Sequence, residues 1–159
     1  TVSGATVENA PADADSGLTY EEGTWSPVYG STSGSFATMT MDILNASYTR
    51  IGRQVTVTGI IRTDSVDASG ASGNLTITGL PFTALGGNHF SAVTVGKATA
   101  FASGEFPRSG YTEAAATYIV LTERSAVDGA DTECVVDTLT TGVTANQNYM
   151  IFSALYYAV

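Results

Sequence analysis

The sequence predicts an all-β sandwich, and three observations carry that prediction. From Gln54 to Thr63, Val55, Val57 and Ile61 fall on one face, with Gln54, Thr56, Thr58 and Arg62 mainly on the other, which is the period-2 pattern of a half-buried strand. Leu75 and Ile77 alternate with Thr76 and Thr78 in the same way, until Gly79-Leu80-Pro81 ends the run. Elsewhere short β-prone runs are separated by Gly/Ser/Asn turns, and no stretch is patterned as an amphipathic helix.

Taken in order, residues 1 to 22 read as an acidic lead-in with little periodicity, a linker to a preceding shaft or domain, and residues 23 to 159 as the sandwich. Strands are expected around Thr24 to Tyr29, Phe36 to Met41, Ala46 to Arg50, Gln54 to Thr63, Asn74 to Thr78, Phe90 to Phe101, Ala115 to Thr122, Glu133 to Leu139 and Tyr149 to Val159. Asp64 to Ser72 reads as a turn-rich connection. Ala114 to Ala116 could start a helical turn, but Thr117-Tyr-Ile-Val120 favours a strand.

At 159 residues the chain has one domain's worth of core. Charged residues make up only 13%, while Thr, Ser, Gly and Ala abound, so the surface is polar but weakly charged. The formal charge of −9 is uneven: the first 22 residues hold Glu8, Asp13, Asp15, Glu21 and Glu22 and no Lys or Arg. The bases Arg50, Arg53, Arg62, Lys97, Arg108 and Arg124 are scattered singly, which leaves no electrostatic footprint for nucleic acid. No apolar run reaches membrane-spanning length, so no membrane insertion is expected. Because it starts at Thr1, the chain is read as a piece of something longer.

Gly23-Thr-Trp-Ser-Pro27, Tyr48-Thr-Arg-Ile-Gly-Arg-Gln-Val-Thr-Val-Thr-Gly59 and Gly73-Asn-Leu-Thr-Ile-Thr-Gly-Leu-Pro-Phe82 follow one another in that order. Together they resemble the distal domain at the C-terminal end of many bacteriophage tail fibres and tailspikes. The resemblance covers roughly residues 23 to 84, and beyond that only strand-and-loop character and an aromatic final strand. It implies an antiparallel β-sandwich of jelly-roll type, a homotrimer, and a role in contacting the host surface or supporting the part that does. Location in the virion follows from it, with assembly in the host cytoplasm.

Chemistry-bearing motifs are few. There is no Gly-x-Ser-x-Gly elbow and no Walker-type loop, and His89 is the single histidine, so no catalytic residue, metal site or cofactor is expected. Cys134 alternates with Val136 and reads as a buried thiol. Glu105, Glu113 and Glu123 are the carboxylates that a glycosidase pair would draw on, with solvated loop acids as the plain alternative. Asp13-Ala-Asp15-Ser-Gly17 and Asp128-Gly-Ala-Asp131-Thr-Glu133 resemble fragments of calcium loops, but neither completes one.

The aromatics are the ligand candidates. Tyr29 beside Gly30-Ser-Thr-Ser33, His89 with Phe90, and Phe106 and Tyr111 flanking Pro-Arg-Ser-Gly could each offer a ring to a sugar; anchoring a loop is the structural alternative. Trp25 reads as core and Phe82 as a plug at the sandwich edge. In the last strand Ile151, Leu155, Tyr157 and Val159 point one way and Met150, Phe152, Ala154 and Tyr156 the other, so both faces are apolar. Ile151, Phe152, Leu155 and Tyr156 are therefore the candidate trimer contacts, the alternative being a central strand buried within one chain. The reading is a non-enzymatic fibre or spike domain that recognises host cell-surface saccharide. A purely structural trimerisation cap or capsid-attached fibre tip is the second reading, and a glycan depolymerase fragment the third.

Overall fold

A computed structural model describes residues 19–102, 106–124 and 129–159. Ten strands form among the described residues: β1 Tyr20–Thr24, β2 Val28–Gly34, β3 Thr38–Ile51, β4 Gln54–Asp67, β5 Ala71–Thr78, β6 Ser91–Thr99, β7 Ser109–Thr112, β8 Tyr118–Arg124, β9 Asp131–Glu133 and β10 Gly142–Tyr157. Among the described residues the one helical element is the 3-10 turn Val136–Thr138. The strands join in the order β1-β3-β4-β10-β6-β7-β8-β5-β2, with β9 beside β8 and every pairing antiparallel.

This path curls so that its two ends face each other across one core. Val55, Val57 and Ile61 of β4 and Met150, Phe152, Ala154 and Tyr156 of β10 meet Leu75 and Ile77 of β5 and Ile119 and Leu121 of β8. The alternation read from the sequence thus becomes an antiparallel β-sandwich, because only this closure removes both apolar faces from water.

The three motifs meet inside this core. Trp25 is buried, donates its Nε1–H to the Thr58 carbonyl at 3.0 Å, and meets the Phe152 ring edge-on at 6.0 Å. That same Phe152 ring covers Gly59, where any Cβ would collide with it. Phe82 packs edge-on to Tyr48 at 5.3 Å, beneath the Arg50 guanidinium, and its backbone N–H and carbonyl both bond the Tyr156 phenol. Trp25 and Phe82 are structural, as expected.

Several expected boundaries move. The Thr24 to Tyr29 strand breaks at Trp25–Pro27, since β1 pairs with β3 and β2 with β5 at opposite ends of the path, and Pro27 has no N–H for a ladder. Phe36 to Met41 and Ala46 to Arg50 fuse into β3: irregularities around Met41 absorb the break, and Asp42 is tied to Arg62 of β4, whose Nε lies 2.9 and 3.0 Å from its two carboxylate oxygens. Most of the Asp64 to Ser72 connection is strand, because β3 is long enough to pair β4 as far as Asp67. Glu133 to Leu139 is not one strand; it divides into β9 and the 3-10 turn. Cys134 between them is buried, its N–H donating to the Leu121 carbonyl and its carbonyl accepting from Leu75. β7 falls where a loop was expected, and β1 starts at Tyr20, inside the expected lead-in.

β10 lies centrally between β4 and β6. Phe152 and Tyr156 are 3% and 0% exposed within the single chain, so these two expected trimer contacts belong to its core instead. Ile151 is half-buried and Leu155 exposed, both on the outer face.

Candidate functional site

Directly opposite residues in an antiparallel ladder share a face. The register therefore sets Thr24, Ser47, Thr58, Ser153, Thr94, Ser109 and Thr122 in one row across β1, β3, β4, β10, β6, β7 and β8, with Glu133 of β9 at its end. Their chain neighbours Ala46, Val57, Phe152, Ala154, Val93 and Leu121 are buried, so the row lies on the outer face. Seven strands at ~4.8 Å spacing give it a length of about 30 Å. Ser47 and Thr58 share a hydrogen bond of 3.0 Å, and Ser109 and Thr122 one of 2.7 Å.

Midway along the row lies a groove of about 340 Å³, lined by Asn45, Thr58, Ile60, Thr94, Ile151 and Ser153. Local strand geometry creates it. Ile151 pairs with Lys97 but Phe152 with Val95, so Gly96 is the extra residue of a bulge in β6 and lowers the groove wall where it has no side chain. On the groove's inner side Val57, Phe152 and Ala154 are locked in the core.

The four expected ligand aromatics do not assemble into one site. Tyr29 is 2% exposed; its phenol donates to the Asn148 carbonyl and its ring meets Phe101 edge-on at 6.2 Å. A depression of about 300 Å³ along β2 borders it, but Tyr29 has no open ring face to offer, which corrects the expectation. Its Gly/Ser neighbours suggested a loop; it is an inward position of β2. His89 is exposed, as is the adjacent Phe90, whose ring meets Tyr111 at 6.0 Å. Phe106 is exposed beneath the Arg108 guanidinium, 4.7 Å from its centroid.

Tyr111 donates to Glu133 at 3.3 Å and Tyr118 to Glu113 at 2.5 Å. Partial burial and then the Glu133 charge hold the Tyr111 phenol above its ordinary pKa; the hydrogen bond to Glu113 does the same for Tyr118. Glu113, one of the carboxylates considered for glycosidase chemistry, is thus engaged with a phenol, while Glu123 stands opposite Thr132 at the β8–β9 pairing. Glu105, Asp128 and the Asp13 to Gly17 stretch lie outside the described residues. Among the described residues no three His, Cys, Asp or Glu side chains come together, and Asp131 is instead 4.0 Å from Arg124.

From the sequence, Asn45 stands out only in the sequon Asn45-Ala-Ser47, and Thr94 and Ser153 not at all. Their Ser/Thr-rich alternation was visible, but nothing local says that they would line up.

No protein-family model matches the chain, and no curated protein matches it. Among solved structures it superposes on the crystal structure of the Dettilon tailspike protein (gp208), with a TM-score of 0.62 and 16% identity. This chain has the fold of a tailspike segment. The superposition covers 87% of this chain and 23% of that one, so the chain spans under a quarter of the tailspike's length. At that identity the likeness is one of backbone architecture, and the tailspike-like sandwich is what carries the outer face described above.

Proposed function

We propose that this chain is a distal domain of a phage tail fibre or tailspike, part of the virion, which acts in host attachment through cell-surface saccharide and assembles as a homotrimer. The observation that carries the reading is the tailspike-like fold over 87% of the chain. The motif order and the long uncharged hydroxyl row support it. A face of Ser and Thr is suited to hydroxyl-rich neutral polymers, while a net charge of −9 disfavours polyanions at low salt. The role we propose is binding without catalysis, with Glu133 and Glu113 beside the row each accepting a hydrogen bond from a phenol, Tyr111 and Tyr118. Three copies on one shaft would raise weak single-site affinity by avidity.

A glycan array probed with the purified chain tests this reading, with a reducing-end assay on the bound glycans to separate binding from depolymerisation. Capture without new reducing ends is the expected result; release of new ends would make the chain a depolymerase.

One observation favours the structural-cap reading as a second. Ile51, Leu155 and Tyr157 share the outer face and are 49%, 45% and 49% exposed, with Gln54 between Ile51 and Tyr157 and Thr56 beside Leu155, a patch that a neighbouring copy would cover. A trimer that binds no glycan and no cell surface would favour that reading.

A further inference from the structure

We infer that the groove between β3, β4, β10 and β6 is a subsite for a neutral saccharide, an inference that rests on the attachment reading above. The groove brings together two chemistries. The Thr94 and Ser153 hydroxyls and the Asn45 amide make no side-chain hydrogen bond among the described residues, so their donors and acceptors are available to a ligand. Ile60 and Ile151, paired with each other across β4 and β10, supply an apolar wall beside them.

Charge narrows the ligand class. Among the described residues no charged side chain lines the groove. The nearby Arg62 is held by Asp42 at 2.8 Å, and Lys97 sits over the Tyr149 ring, 5.3 Å from its centroid. A sulfated or phosphorylated ligand would find no Arg or Lys in the groove lining and only Lys97 at its rim, opposite Ile151, where such groups use several cationic partners. A purely apolar ligand would strand the hydroxyls and the amide without water, at the cost of an unmade hydrogen bond each. A sugar ring, with hydroxyls at its edge and C–H groups on its face, satisfies both walls.

Size and stiffness agree with this assignment. A volume of about 340 Å³ falls at the small end of ligand pockets. The groove is built on the two central strands β4 and β10, whose opposite faces are packed in the core, so binding orders little that is not already ordered. The hydroxyl row leaves the groove on both sides, through Ser47 and through Ser109, which gives a chain-like glycan a polar track across the strands.

The test is an array of neutral and anionic glycans probed with the full chain and with three variants. Ser153→Arg fills the groove from a half-exposed position, while Thr94→Val and Asn45→Ala remove its polar groups without filling it. The parent is expected to capture neutral glycans, Ser153→Arg to bind them at least tenfold more weakly, and the other two to bind them severalfold more weakly, all with parental melting curves. Should Ser153→Arg misfold, the other two variants decide. Neutral-glycan binding that survives all folded variants overturns the groove and leaves the attachment reading standing. Capture of anionic glycans alone overturns the ligand class. A parent that captures no glycan overturns both.

Discussion

The Tyr29 phenol donates a 2.8 Å hydrogen bond to the backbone carbonyl of Asn148, 119 residues further along the chain. Asn148 is itself fully buried and is a junction: its Nδ2 donates to Thr63 Oγ1 at 2.8 Å and to the Thr140 carbonyl at 2.9 Å, while its Oδ1 accepts the Thr140 N–H at 2.8 Å. Its own N–H donates to the Ala100 carbonyl, and its φ of 50° is a left-handed value that Asn tolerates better than most residues. β2, β4, the end of β6 and the start of β10 are thereby pinned at one satisfied polar point.

Tyr29→Phe should therefore destabilise the fold by about 1–3 kcal/mol, the cost of leaving a buried carbonyl unpaired. Asn148→Ala should cost more, because it strands the Thr140 N–H and carbonyl, leaves the Thr63 hydroxyl only its bond to the Gln147 carbonyl, and puts Ala at positive φ. Denaturant unfolding of the two variants measures the order. Glycan capture at temperatures well below both transitions should stay parental, since neither side chain faces the outer surface.

Alkali should loosen the core. Burial pushes the Tyr156 phenol up to about 12, and burial with Cys134 close by pushes Tyr29 well above its ordinary 10.0. Ionisation is thus harder in the folded chain than in the unfolded one. Stability is full below pH 10 and falls as the pH climbs from 10 through 12. Denaturation midpoints between pH 8 and 12 should show this decline, and it should be shallower in Tyr156→Phe.

Phe152→Asp and Leu155→Asp separate the two faces of β10. Phe152 fills the core between Trp25 and Gly59, so a carboxylate there should abolish folding of the single chain, by several kcal/mol as an order of magnitude. Leu155 is exposed, and Leu155→Asp should keep the parental circular dichroism and melting curve. Light scattering of the parent and of Leu155→Asp then reports on the trimer. A parent of trimer mass and a lighter folded variant are expected if the outer patch is the contact.

The exposed aromatics should divide by their packing. His89→Ala and Phe106→Ala should change stability by no more than about 0.5 kcal/mol, whereas Tyr111→Ala loses the Phe90 ring contact and should cost about 0.5–1.5 kcal/mol. At least one of the three should weaken glycan capture. If all bind like the parent, the aromatics lie outside the ligand face.

Alternation alone determined which side chains of β4 and β5 make the core. Val55, Val57, Ile61, Leu75 and Ile77 are all 0% exposed, as their period-2 spacing requires, and Trp25 and Cys134 are buried as their residue types suggest. Only the tertiary structure decided what the alternate, polar positions do. Tyr29 looked like a loop residue among Gly and Ser until closure of the sandwich set it against Asn148. Ser153 became a neighbour of Thr58 and Thr94 through pairings between strands far apart in sequence. Burial is a local preference of each side chain, so the sequence states it directly. Register is a choice among non-local pairings, and it is fixed only when the whole sheet closes over one core.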